Sequence, residues 1–189
     1  MKKRVFTLIA VLILVGALVP AVVFAAETGT VTCTVSAVLV SVSVAPGTVG
    51  YGTVNLGTVK NTAQFGSFNP NGSSTPQTQN ITNTGSGTQN YNIKSSNAIG
   101  VSQNWTLGAA AGDHTYTHAA LPLTDSAYTG GAIGTFSITM TTADSYVSLE
   151  SSVAKDAVKY LELEIGMPTA TTDLGTHTIT VTIQAEQGS

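Results

Sequence analysis

The stretch "KYLELEIGM", residues 159–167, alternates apolar and polar side chains almost without interruption. Leu161, Leu163 and Ile165 occupy every second position, and Glu162 and Glu164 stand between them. Successive side chains of a β-strand point to opposite faces of the sheet. The alternation therefore predicts a strand whose apolar residues face a core and whose two glutamates lie on a solvated outer face.

The same period of two recurs along the chain. The stretches "NWTLG" and "DHTYTHA" predict two further strands. The residues that share an apolar face are Phe136, Ile138 and Met140 in "GTFSITMTT", and Ile179, Val181, Ile183 and Ala185 in "THTITVTIQAE". Eight to ten short strands separated by turn residues predict an all-β chain, an antiparallel β-sandwich of immunoglobulin-like or jelly-roll type.

Two local patterns make more detailed predictions. In "TQNITNTGSGTQNYNIKSS", residues 78–96, two alternating stretches flank the turn residues 83–87, which predicts a hairpin. Residues 145–158 are the one segment that could form a short helix, because Leu149, Val153 and Ala157 recur at a spacing near four, and we expect it to connect two strands.

The first 25 residues have the three parts of a secretory signal peptide. Lys2, Lys3 and Arg4 form a basic head, an apolar run follows, and Ala25 is a small residue suited to cleavage before Ala26. The expected product is a single β-sandwich domain at residues 26–189, located outside the cell or at its surface, with no membrane contact after cleavage.

Charge and cysteine content narrow the function classes. The whole chain has a net charge of −3. Residues 26–189 retain four lysines, no arginine and all ten acidic residues, a net charge of −6. Without a basic patch we expect no nucleic-acid partner and no anionic membrane surface. A single cysteine cannot form a disulfide framework, so the core and the strand ladders must stabilise the fold.

The longest strand-like run is "TVTCTVSAVLVSVSVAP", residues 30–46. At about 3.3 Å per residue it is too long for one straight strand of a small domain. Its apolar residues occupy odd positions up to residue 37 and even positions from residue 38 to residue 44. This change of phase predicts a bulge or a crossing from one sheet to the other.

An assembly role, if the run has one, is expected ahead of the phase change, in residues 28–36. Such a strand would present Val31, Cys33 and Val35 on one face. Cys33 then lies on an apolar face and is expected to be a buried thiol, the alternative being a free reactive or intermolecular one.

Residues 40–95 resemble bacterial immunoglobulin-like surface domains of the ASH or choice-of-anchor D type. The resemblance is carried by "YGTVNLG" at residues 51–57 and by "ITNTG" at residues 81–85. It implies a scaffold or adhesive module without catalytic residues. A fainter resemblance, through "NWTL" at residues 104–107, is to the WxL surface domains of Gram-positive bacteria, which attach to cell wall. The second motif of those domains is absent from this chain.

Three groups of residues are candidate sites. Asp113, His114 and His118 are weak metal candidates, with His177 nearby if the last strand packs against them, although no third ligand stands at a recognised spacing. Trp105, Tyr116 and Tyr128 are candidate ligand contacts, and Trp105 is more readily explained as a core residue. The triplets that begin at Asn71, Asn80 and Asn104 are candidate glycosylation sites.

No sequence motif for catalysis is found. The spacing of Glu162 and Glu164 on one strand does not suit a glycosidase pair, which flanks a cleft. No nucleophile elbow, phosphate loop or zinc-protease helix occurs, so we expect no enzyme and no cofactor. The leading hypothesis is an exported structural or interaction protein of the cell envelope, such as a surface-layer or filament subunit with itself as partner. The alternative is a module that binds cell wall or polysaccharide, and a secreted hydrolase is the third hypothesis.

Overall fold

The computed structural model describes residues 34–63, 77–123 and 133–188. These residues form ten strands and no helix, so none of them belongs to a helix that could span a membrane. The strands are β1 (Val42–Ala45), β2 (Val59–Asn61), β3 (Gln79–Asn83), β4 (Gln89–Ser95), β5 (Thr106–Leu107), β6 (Thr115–Leu123), β7 (Ile138–Met140), β8 (Val147–Val153), β9 (Val158–Gly166) and β10 (Val181–Gln187).

The strands form two sheets, and the predicted β-sandwich is confirmed. The larger sheet has the order β1-β3-β9-β6-β5, with β2 also paired to β9 and β7 also paired to β6. The smaller sheet has the order β10-β4-β8. All neighbouring strands are antiparallel except β5 and β6, which pair in parallel over two residues.

The core lies between the sheets. The larger sheet contributes Leu161, Leu163 and Ile165 of β9, which are 2–4% exposed, and the smaller sheet contributes Tyr91 and Ile93 of β4, which are fully buried. The inward orientation predicted from the alternation of β9 is therefore confirmed. Partly buried Val181, Ile183 and Ala185 of β10 pack against the same core, as their shared face predicted.

The hairpin predicted at residues 78–96 is wrong, although both of its strands exist. β3 pairs with β1 and β9, whereas β4 pairs with β10 and β8, so the chain crosses from one sheet to the other between them. The side chain of Asn83 fixes this crossing. Its Oδ1 accepts from the N–H of Gly85 at 2.9 Å, and its Nδ2 donates to the carbonyls of Gly87 and Val153 at 2.8 and 2.9 Å.

The helix predicted at residues 145–158 is also wrong. These residues form β8, a turn and the start of β9. A spacing of four is twice the period of a strand, so Leu149 and Val153 can both be buried on one face of β8. Register shifts against β4 and the positive φ of Ser152, 55°, show that β8 is bulged, which explains why its alternation is imperfect.

Of the run at residues 30–46, the structure describes residues 34–46, and among these only Val42–Ala45 form a strand. The chain divides after Ser36, and Ala37–Ser189 form one compact unit. Within that unit, residues 37–41 are outside regular strands and β1 begins at Val42, after the predicted change of phase. Leu39 and Ser41 are bonded to the crossing between the sheets, through the N–H groups of Ser86 at 2.9 Å and Thr84 at 3.1 Å.

Candidate functional site

A cavity of about 1220 Å³ lies between the two sheets and is partly open to solvent. Its apolar walls come from Leu161, Leu163 and Ile165 of β9, Val181 and Ile183 of β10, and Val44 of β1. We call this cavity the apolar groove. It lies beside β1 and β10, which end the strand orders of the larger and the smaller sheet.

Further walls come from the glycine-rich segment at residues 47–56 and from residues 174–179. The N–H of Gly47 donates to Gln79 Oε1 and the N–H of Gly50 donates to Gln77 Oε1, both at 2.9 Å. The two glutamine side chains thus accept the backbone hydrogen bonds that a neighbouring strand would accept, and they fix residues 47–50 beside the groove.

A buried chain of hydrogen bonds runs from the groove into the core. Tyr51 Oη lies 3.2 Å from His118 Nε2, and His118 Nδ1 lies 2.8 Å from Ser95 Oγ. Ser95 Oγ lies 3.3 Å from Tyr116 Oη, and Tyr116 donates to the carbonyl of Ser96. Because that carbonyl can only accept, one assignment satisfies every group: Tyr51 donates to Nε2, Nδ1–H donates to Ser95, and Ser95 donates to Tyr116.

This assignment requires a neutral imidazole. Burial lowers the pKa of His118 to about 4, because the side chain is 1% exposed and the surroundings cannot solvate a cation. Burial also raises the pKa of Tyr116 to about 12 and that of Tyr51 well above its ordinary value. The cluster is therefore uncharged near neutral pH.

The contact between Ser95 and His118 resembles a nucleophile and its base, but its geometry does not suit catalysis. Ser95 is fully buried and its hydroxyl is already bonded to Tyr116. The second nitrogen of His118 faces a tyrosine hydroxyl instead of the carboxylate that orients a catalytic histidine. The arrangement can fix two sheets together through polar contacts, and it presents no hydroxyl to a substrate.

Over the part that the structure describes, none of the residues that line the groove is Asp, Glu, Lys or Arg, and two of them are histidines. Burial keeps His118 neutral, and both ring nitrogens of His177 lie 2.9 Å from carbonyl oxygens, those of Gly175 and Gln103. Such a surface favours an apolar, uncharged occupant, since a charged one would lose its hydration without gaining an ionic partner.

The prediction that Glu162 is solvated is wrong. Glu162 is fully buried, and its two carboxylate oxygens accept hydrogen bonds from the hydroxyls of Thr62 and Thr78. Glu164, two residues along β9, is half-buried. Burial raises the pKa of both carboxyl groups, and the hydrogen bonds partly oppose that change. Alternation could not reveal this burial, because the covering residues belong to distant parts of the chain.

The weak metal candidates do not form one cluster. His114 Nδ1 lies 2.7 Å from Asp113 Oδ1 at the surface, whereas His118 is bonded to Tyr51 and Ser95 in the core. Within residues 34–63, 77–123 and 133–188, no three His, Cys, Asp or Glu side chains are grouped to hold a metal ion.

The candidate ligand contacts are not exposed platforms. Trp105 is 5% exposed and stacks on His177 with a centroid distance of 3.6 Å, and Tyr116 is fully buried. The core interpretation of Trp105 is therefore confirmed, and surface contact through Tyr116 is wrong. Tyr128 lies outside the described residues. Of the candidate glycosylation sites, Asn80 and Asn104 are exposed, and Asn71 lies outside the described residues.

The candidate assembly strand lies mostly outside the described residues. Val31 and Cys33 are not among them, so the burial of Cys33 stays a prediction. Val35 is described and is 96% exposed. The sequence could indicate this segment by its alternation, but it could not indicate the groove, which depends on the packing of two sheets.

Comparison with known protein families, with curated proteins and with solved structures finds no match to this chain. The assignment of a function therefore depends on the site itself.

Proposed function

We propose that this chain is an exported, non-enzymatic structural protein of the cell envelope whose copies associate with one another, as the subunits of a surface layer or a filament do. The observation that carries the proposal is the apolar chain leading into β1. Val35, Val38, Leu39, Val40 and Val44 are between 38% and 96% exposed. A run of exposed apolar residues of this length is typical of an interaction surface.

The strand edges support association. β1 and β10 each pair with a single strand among the described residues, which leaves one edge of each available for backbone hydrogen bonds. Natural proteins usually protect such edges with charged residues. β1 reads Val-Ser-Val-Ala and has no charged residue, so its edge is open to another strand.

Export is supported by the signal-peptide pattern of residues 1–25, and the resemblance to surface domains agrees with a scaffold role. The binding of wall polysaccharide is the alternative. It usually depends on exposed aromatic rings. Among the described residues, Tyr146 is the large aromatic residue with a clearly exposed ring, at 40%, and Lys94 Nζ lies 4.9 Å from the centre of that ring.

Size-exclusion chromatography with light scattering tests the proposal, followed by negative-stain microscopy. The chain without residues 1–25 should form oligomers or fibres as its concentration rises, and Leu39→Asp should reduce their formation at least tenfold. Val101→Asp is the matched control, because Val101 is 89% exposed but lies between β4 and β5. A stable monomer that is retained by cell-wall material would contradict self-association and favour the alternative.

A further inference from the structure

We infer that the apolar groove binds residues 28–36 of a second copy, which insert as an additional strand beside β10. We call these residues the N-terminal segment. The inference rests on the proposed self-association and names the two surfaces that meet. Addition of an extended segment to a free sheet edge is an established way for chains to join, with backbone bonds for affinity and side-chain pockets for specificity.

The first argument is the pattern of side chains. The N-terminal segment reads "TGTVTCTVS", so Val31, Cys33 and Val35 share one face and threonines share the other. As a strand it can turn three apolar side chains toward the groove and leave hydroxyls toward solvent. Thr30–Ser36 has seven residues, which is also the length of β10. Both extend to about 23 Å at 3.3 Å per residue.

The second argument is charge. Residues 28–36 contain no ionisable side chain except the thiol of Cys33. The described lining of the groove contains no Asp, Glu, Lys or Arg. Burying one surface against the other therefore places no carboxylate, ammonium or guanidinium group in an apolar environment, which would otherwise cost several kcal/mol.

The third argument identifies the source of the strand. The groove could be filled by the N-terminal segment of the same copy only if the chain reversed direction before β1. Residues 30–45 contain no Gly, Pro, Asn or Asp, the residues that supply turn conformations. Leu39 and Ser41 are also fixed by hydrogen bonds to Ser86 and Thr84. We therefore assign the strand that fills the groove to a second copy of the chain.

The native Cys33 provides the test, because it is the chain's one cysteine and lies on the face predicted to enter the groove. A second cysteine is placed at the groove as Val44→Cys or, in a separate variant, as Leu174→Cys. Both positions line the groove and are exposed enough, 38% and 79%, to tolerate the change. Disulfides form where two Cα atoms come within about 4.4–6.8 Å. Copper–phenanthroline supplies the oxidant.

We expect a ladder of covalent oligomers on a non-reducing gel, and a peptide linking Cys33 to the introduced cysteine by mass spectrometry. Val101→Cys is the matched control, since it is exposed and lies outside the groove lining. It should give at least tenfold less of the Cys33 link. Cys33→Ser combined with Val44→Cys should remove the ladder.

Light scattering on the wild-type chain separates the two ways in which the inference could fail. If the wild type assembles but neither groove position links to Cys33 more than Val101→Cys does, the groove is not the receptor and self-association stands. If the wild type stays monomeric at every concentration, the proposed function and this inference both fall.

Discussion

His118 shows how one buried residue sets a pH dependence. Its folded pKa of about 4 lies below the ordinary value of 6.5, so the unfolded chain takes up a proton first as the pH falls. The free energy of unfolding should therefore decrease between pH 6.5 and pH 4, by up to about 3 kcal/mol, and this contribution should be absent above pH 6.5. Urea denaturation at several pH values measures this decrease.

The matched variant is His118→Gln, which keeps a polar side chain but does not titrate. The buried carboxyl groups Glu162 and Glu164 have raised pKa values and act in the opposite direction, since the folded state binds their protons more tightly. The difference between wild type and variant isolates His118. A wild-type profile with the same slope as that of His118→Gln would show that the imidazole is not held neutral.

Trp105 and Glu162 show which burial could be predicted from the sequence and which could not. The burial of Trp105 could be predicted, because a lone tryptophan beside an alternating leucine suits a small sandwich. The burial of Glu162 could not. A glutamate on the outer face of a strand is normally solvated. Glu162 is buried because Thr62 and Thr78, which are distant in the sequence, pack over it and donate hydrogen bonds to its carboxylate.

At the scale of elements, β9 and Thr62 are joined by a reciprocal contact. Thr62 Oγ1 donates to Glu162 and accepts from the N–H of Leu163 at 2.8 Å. Thr62→Val leaves the buried carboxylate with one donor fewer and the N–H without its partner. We expect a loss of about 3 kcal/mol in the free energy of unfolding, measured by urea denaturation.

Thr62→Ser is the control for this contact, because it removes a methyl group and keeps the hydroxyl. It should lose no more than about 1 kcal/mol. Equal losses in Thr62→Val and Thr62→Ser would mean that packing of the methyl group, and not the hydrogen bonds to β9, is what Thr62 contributes.

β3, β4 and β8 show why the position of a strand is easier to predict than the strands with which it pairs. Alternation located β3 and β4 correctly, because the period of two is local to each strand. Pairing depends on where Asn83 directs the chain, and its three side-chain bonds lead β4 into the other sheet. In the same way, the bulge at Ser152 disturbs the period of β8 and allowed a helix to be predicted there.

At the scale of the whole molecule, the sandwich was predictable and the groove was not. The composition and the alternation of apolar side chains indicate two sheets whose apolar faces pack against each other. They do not indicate how completely the space between β1 and β10 is filled, because cavity volume depends on the sum of many side chains. The alternation could limit any assembly role of the long run to residues 28–36, whereas the groove that we propose as their receptor could be found only from the structure.

Mixing two complementary variants tests head-to-tail assembly most directly. Val35→Asp places a carboxylate on the N-terminal segment and leaves the groove unchanged. Val44→Asp places a carboxylate in the groove and leaves the N-terminal segment unchanged. A buried carboxylate in either surface costs several kcal/mol, so each variant alone should be monomeric by light scattering. The equimolar mixture should contain dimers and nothing larger. The unchanged segment of Val44→Asp can bind the unchanged groove of Val35→Asp, and the remaining segment and groove of that dimer both carry a carboxylate. Assembly of either variant alone to the wild-type extent, or a mixture that stays monomeric, would contradict the account.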